Sequence, residues 1–306
     1  MPREQWGVCA EANLHGVHLF LNAHEGYEPV IREALSQLPE IFDSITDQFS
    51  EAMFSGVVAI GASYWNELYP DKYPEGLKPF PAMSCDDRQM PGSPFDLYIQ
   101  LRSDRQDVNY IASKRVMNLF GETVDLVEQV PCFRYLDGRD LTGFVDGTEN
   151  PKGRKRREVA LTSNMGVFDS GSFVHVQRYR HHLKVWERLP TQEQELIIGR
   201  TKMDDVEFEK DEMPNTAHVK RANVKDENGN GRELMRQSMP YGDLSQQGLL
   251  FVSYCANPDN FETILKNMVF GNDDGDYDHL LNYTSAETGA AFFAPSIEFL
   301  TRQGNM

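Results

Sequence analysis

Three short stretches of this chain hold residue types that could move protons or bind a metal. In Gly143-Phe144-Val145-Asp146-Gly147-Thr148-Glu149-Asn150-Pro151 an acid stands between apolar Val145 and a flexible glycine, and Pro151 stops any helix. A carboxyl placed after two apolar residues is expected to lose water, which raises its pKa toward the range useful for proton transfer. The same spacing also describes an ordinary Asp-Gly turn, which needs no function. In Asn215-Thr216-Ala217-His218-Val219-Lys220-Arg221 one imidazole lies among small and apolar neighbours, and neutral imidazole suits iron. A lone histidine is also commonly a structural residue, and His175, His181 and His182 compete for the role. His175 falls in a predicted strand, whereas His181 and His182 sit in a charged loop and are expected to be exposed. In Leu234-Met235-Arg236-Gln237-Ser238-Met239-Pro240-Tyr241-Gly242 a single cation sits among apolar side chains. Arginine keeps its charge, so a buried one requires an anion, a carboxylate or a polar ligand. Taken singly, each stretch also fits a structural role.

The elements that must position these residues form two halves of similar rhythm. Leu97 to Arg102 reads as a strand, followed by a polar loop and a helical pattern (Val108, Ile111, Ala112, Val116, Leu119) that stops at Gly121. Leu249 to Tyr254 reads as a strand, followed by Ala256-Asn257-Pro258-Asp259 and a helical pattern (Phe261, Ile264, Leu265, Met268) that stops at Gly271. Ser55 to Trp65 corresponds in the same way to Gly171 to Tyr179. Thr191 is expected to N-cap a helix running to Ile198, with Gln194 three residues on and Gly199 as its stop. No strand–Gly-loop–helix unit of dinucleotide type occurs. The expectation is an α+β fold of two copies of one unit with mainly antiparallel strands, divided in the turn-rich region between residues 136 and 155.

Composition narrows the functions available. A chain of 306 residues, 40% hydrophobic and 11% aromatic, has ample material for a packed core and is long enough for two medium domains. Its formal net charge of −17 repels phosphate backbones, so no nucleic-acid partner is expected. No apolar run reaches membrane-spanning length, and the N-terminus lacks the basic-then-apolar order of a signal peptide. A cytoplasmic location without membrane attachment is therefore expected. Cys9, Cys85, Cys132 and Cys255 form no C-x-x-C pair and read as reduced core thiols. The acidic run 204–212 and the turn 225–231 read as solvated surface.

Together these pieces point to one family. Leu141 through Pro151 strongly resembles the Gly-x-x-Asp-Gly motif of the dye-decolorising peroxidases, and Val174 through Tyr179, Ile198 through Lys202 and Arg236 through Gly242 resemble that family too. The bacterial B-type branch is the nearest match, and the likeness runs from Gly56 to Phe292-Phe293-Ala294-Pro295-Ser296. The resemblance implies two ferredoxin-like halves with antiparallel sheets, of the dimeric α+β barrel type: residues 1–140, and residues 141–306 holding the cofactor. It implies one haem b per chain, with His218 as the iron ligand and Asp278 as the carboxylate that accepts a hydrogen bond from that imidazole. Asp146 resembles the distal acid–base residue and Arg236 the distal arginine, while Glu149 and Phe251 are implied as further cofactor contacts. Ser238 departs from relatives that carry Asn at that distal position, and its hydroxyl is a shorter handle for a water or peroxide.

The activity so implied is reduction of hydrogen peroxide and oxidation of dyes or other one-electron donors through a ferryl intermediate. Asp146 would move a proton between the peroxide oxygens and Arg236 would stabilise charge on the departing one. Bulky donors would deliver electrons at a haem edge or through Tyr and Trp side chains, with Trp6, Trp65 and Trp186 among the candidates. A homo-oligomer is expected. Docking in a protein shell is not, because no Gly/Pro-rich linker and tail precede Met306. The alternative is a haem-handling protein (carrier, sensor or iron-releasing factor), which would keep His218 but has little use for an acid and an arginine facing the iron.

Overall fold

A computed structural model describes residues 2–304. Its strands are β1 (His15–Ala23), β2 (Ser55–Gly61), β3 (Met83–Cys85), β4 (Arg88–Met90), β5 (Leu97–Ser103) and β6 (Val124–Phe133) in the first half. The second half contributes β7 (Ser172–His181), β8 (Met235–Arg236), β9 (Met239–Gly242), β10 (Gln247–Cys255) and β11 (Thr284–Ala294). In the first half the neighbours run β6-β1-β5-β2, and in the second β11-β7-β10-β9, with antiparallel pairing throughout. Both have the ferredoxin-like order, in which the fourth strand lies beside the first, then the third, then the second.

The halves share one sheet. Strand β11 pairs with β2 through Phe292 and Gly61, and β6 pairs with β9 through Cys132 and Tyr241. Because β7 also pairs with β10, the eight strands other than β3, β4 and β8 close into a ring. Gly248 makes one seam possible: a Cβ at this position would fall 1.9 Å from the Tyr179 carbonyl oxygen, so any side chain would force β10 away from β7.

Alternation along the strands sorts side chains to the two faces of the ring. Phe20, Val57, Tyr98, Val176, Leu250, Val252, Tyr254 and Phe292 point inward and form one buried cluster. Leu19, Leu21, Val58, Ile60, Ile99 and Leu101 point outward beneath the helices. The helix Glu28–Gln48 covers them with Ile31, Leu35, Leu38, Phe42 and Ile45, spaced at three and four residues. Each such side chain withdrawn from water contributes roughly 1.5–3 kcal/mol.

The helices Gln106–Phe120 and Asp259–Phe270 end where expected, at Gly121 and Gly271, and both glycines have positive φ. Thr191 is not an N-cap. It is the first residue of its helix, Pro190 precedes it without a side-chain cap, and Gln194 instead donates to the Trp186 carbonyl at 2.8 Å. All four cysteines are free, and Cys132 and Cys255 are buried.

Candidate active site

The loop after β6 carries Asp146 and is braced from several directions. Bridges join Arg139 to Tyr135 and to Val145. The Arg139 guanidinium donates to the carbonyls of Gly143, Lys202 and Met203 and pairs with Asp137 at 2.8 Å. The Asp146 amide donates to the Gly138 carbonyl at 3.1 Å. Gly147 follows at φ +77°, a value that any other residue would adopt only under strain, and turns the chain so that the Asn150 amide meets the Gly147 carbonyl at 3.0 Å. Thr148 then donates to Asp205 at 2.8 Å, and Asp205 pairs with Arg200 at 2.7 Å. Glu149 points outward, its side chain 66% exposed and 3.5 Å from Arg200.

Asn150 joins this loop to Arg236 on β8. Its side-chain amide donates to the Arg236 carbonyl at 2.7 Å, and its side-chain oxygen accepts from the Arg236 amide at 2.8 Å. Burial raises the pKa of Asp146, as its apolar flanks led us to expect; the Arg236 charge opposes part of that rise and the Asp140 carboxylate adds to it. Ser238 lies two residues beyond Arg236, and its hydroxyl oxygen accepts from the Val252 amide at 3.3 Å. Phe251, next to Val252 on β10, projects to the opposite face and packs 6.1 Å from the Phe261 ring.

On the other side, His218 opens the helix His218–Ala222. Its Nδ1 lies 2.6 Å from an oxygen of Asp278, whose side chain is fully buried. Asp278 is itself positioned twice: its amide donates to the Met268 carbonyl, and its second carboxyl oxygen accepts from the Leu280 amide at 2.9 Å. Burial by itself would lower the His218 pKa, but the Asp278 charge and hydrogen bond outweigh it and raise the value. With Nδ1 committed to a carboxylate, Nε2 is the nitrogen left to ligate a metal.

The charges of Asp146, Arg236 and His218 all act on one another, so residues far apart in sequence converge on one site. Among the described residues no group of three or more His, Cys, Asp and Glu could hold a metal ion by itself. One available imidazole, backed by a buried carboxylate and within reach of the Asp146 and Arg236 charges, fits a metal that brings most of its own ligands, as haem does.

The competing histidines lack these features. His175 is buried in β7, stacked 4.1 Å from Phe261, with Nδ1 unpartnered; burial pushes its pKa down to about 3. His182 is exposed and bonds Ser285 at 2.8 Å. The expectation that His181 is exposed is corrected: it is buried, with Nε2 2.9 Å from Asp140 and Nδ1 2.9 Å from Thr284. β7 extends through residue 181 and pairs it with Thr284 of β11, which carries the imidazole under the site loop. Asp140 also accepts from the amide and hydroxyl of Thr142 at 3.0 and 2.6 Å. In the sequence Asp140 reads as a turn residue and Asn150 as part of a turn-forming motif, with no bonding role for either side chain. Both carry short side chains able to hydrogen-bond, but Arg236 and His181, which they bind, lie 86 and 41 residues away.

The chain also matches two family models, Dyp-type peroxidase N-terminal over residues 22–134 and Dyp-type peroxidase C-terminal over residues 137–299. A dye-decolorizing peroxidase of Mycolicibacterium paratuberculosis is 34% identical across 98% of this chain and 85% of its own length. A solved Shewanella oneidensis structure described as Dyp-type is 52% identical with TM-score 0.97, covering 99% of both chains. A variant of DypB from Rhodococcus jostii, solved in complex with heme, is 31% identical with TM-score 0.92 over 95% of this chain and 96% of that one.

Proposed function

Since this chain belongs to the Dyp-type peroxidase family, we propose that it binds one haem b between His218 and the Asp146–Arg236 pair and uses it to reduce hydrogen peroxide. The bound haem supplies an iron that exchanges electrons with peroxide and with one-electron donors such as dyes. The observation that carries the reading is the 2.6 Å contact of His218 Nδ1 with buried Asp278, in a site that the charges of Asp146 and Arg236 also reach.

His218 Nε2 is the iron ligand, and Asp278 fixes the ring orientation and tautomer and increases the basicity of the imidazole. With haem bound, an ionised Asp146 carboxylate would take a proton from peroxide at the site and hold it for return to the departing oxygen. Arg236 donates hydrogen bonds to that departing oxygen and opposes its negative charge. The Ser238 oxygen already accepts from Val252, so its hydroxyl hydrogen is the part free to orient a water or peroxide. Phe251 supplies an apolar contact to the cofactor, while Glu149 acts at the rim of the site through Arg200. The reading extends to two halves divided near residue 140, a homo-oligomer and a cytoplasmic location. No helix among the described residues is long and apolar enough to cross a membrane.

An absorption spectrum of the purified protein tests this directly. A Soret band that shifts on adding peroxide is expected. Full haem occupancy with unchanged iron spectra in His218→Ala assigns the ligand elsewhere, and a band inert to peroxide favours a haem carrier.

A further inference from the structure

A surface groove of about 220 Å³ lies beside the segments that carry His218 and Asp278. The helix Thr191–Ile198 supplies one wall through Glu193, Leu196 and Ile197, and Pro214, His279 and Tyr283 complete it. Leu196 is 46% exposed although it is apolar. Short connections join the groove to the proposed iron ligand. Thr216, which also lines it, stands two residues before His218, and its carbonyl accepts from the His279 amide at 3.0 Å. His279 directly follows Asp278, whose carboxyl holds His218 Nδ1.

The surroundings of the groove are acidic. Glu193 places an exposed carboxylate in the wall itself. The acidic run noted in the sequence ends in exposed Glu209, Asp211 and Glu212, with Lys210 among them, and leads through Met213 into Pro214. Exposed Asp273 and Asp274 precede His279 on the other strand of chain. A cleft surrounded by one sign of charge concentrates ligands of the other sign. The remaining wall suits a flat apolar body: Leu196, Ile197 and Pro214 are joined by the Tyr283 ring, which is fixed edge-on against buried Trp186 at 5.3 Å.

We infer that this groove seats the reducing substrate, and that the substrate class is a single-ring phenol carrying a cationic side arm. The inference rests on the peroxidase reading above and adds a donor site that neither Asp146 nor Arg236 lines, so donor and peroxide do not compete for one pocket. Glu193 faces the cationic arm, the apolar wall takes the ring, and His279 and Thr216 offer polar groups to the hydroxyl. Each phenol gives one electron to the site along the Thr216–His218 backbone and one proton to water at the groove mouth. Its O–H bond breaks and a phenoxyl radical leaves. Two phenols thus supply the two electrons and two protons that turn one peroxide into two waters.

Tyramine, 4-ethylphenol and 3-(4-hydroxyphenyl)propionate test this, because they share one phenol and differ in the charge of the arm. Their affinities for the resting haem-loaded protein, read by calorimetry without peroxide, are expected to fall in that order. Glu193→Gln should weaken tyramine by about two- to fivefold, the worth of one exposed charge pair, and leave 4-ethylphenol unchanged. Leu196→Arg sets a cation in the groove and should raise both the Kd and the KM of tyramine by about tenfold or more. Both positions are exposed, so neither change threatens the core. Any other ranking of the three phenols, or an unchanged Kd and KM for tyramine in Leu196→Arg, overturns the groove. The donor-free Soret response to peroxide, recorded on the same samples, separates the two readings: its absence from the wild type counts against the peroxidase, and its presence beside either overturning result counts against the groove alone.

Discussion

Asn150 grips the backbone of Arg236 with both ends of its side-chain amide, across 86 residues of sequence. The loop that carries the acid and the strand that carries the arginine are thereby set against each other by a two-point contact. A two-point contact fixes orientation as well as distance, which a single hydrogen bond does not.

Asn150→Ala should therefore slow the reaction with peroxide while haem remains bound. Misplacing a catalytic group by about 1 Å costs on the order of 10²-fold, so a loss between tenfold and that value is expected. Stopped-flow mixing with peroxide at the Soret band measures it. A wild-type rate would show that the loop holds Asp146 without this clamp.

Asp146 and Arg236 should contribute unequally. Arg236→Leu removes a preorganised donor and should cost ~10²-fold or more in the peroxide step. Asp146→Asn should cost no more than that, because Ser238 and a water offer a partial relay. A near-dead Asp146→Asn beside a normal Arg236→Leu would reverse this order.

The acid limb of the peroxide reaction should lie above the ordinary aspartate value of 3.8, because burial raises the Asp146 pKa despite Arg236. The base works only when ionised, so the rate falls as pH drops through that raised value. Asp146→Asn should flatten the limb. A pH–rate profile of wild type and variant decides the point, and an identical limb in both assigns the titration to another group.

Asp140 bears on stability. Burial by itself would raise its pKa, but the His181 charge and hydrogen bond and the two bonds from Thr142 outweigh it and hold the value at about 2, against 3.8 ordinarily. A depressed carboxylate contributes stability above its unfolded value and loses it as pH falls through the folded one. The contribution is roughly 2 kcal/mol at neutral pH, and it fades between about pH 4 and pH 2. Urea unfolding should show Asp140→Asn less stable than wild type at pH 7, with the gap closing toward pH 2. A constant gap would falsify this linkage.

Replacing Asp278 by Asn keeps the size of its side chain but removes the charge paired with His218 at 2.6 Å. The ligand becomes a weaker electron donor, so the iron reduction potential should rise and haem affinity should fall by about 10- to 100-fold. Potentiometry and haem titration read both. An unchanged potential would mean that the pair only orients the ring.

Features encoded by local physics were readable from the chain alone. Alternation at two residues and repeats at three and four placed β5, β10 and the helices after them, and glycines with positive φ ended those helices where expected. Asp146, flanked by Val145 and Gly147, was legible as a desolvated acid for the same reason. His218 stood out as one imidazole among several, and only a family resemblance pointed to it and to Asp278. Tertiary structure decided the rest. It buried His181 by pairing β7 with β11, set Asn150 on Arg236, and enclosed Tyr98 with His18 by closing the two halves into one ring. These partners lie 80 to 103 residues apart, and no periodicity spans such a separation. Their bonds exist because a buried polar group must find a partner wherever the chain brings one, and that is settled by the closed fold.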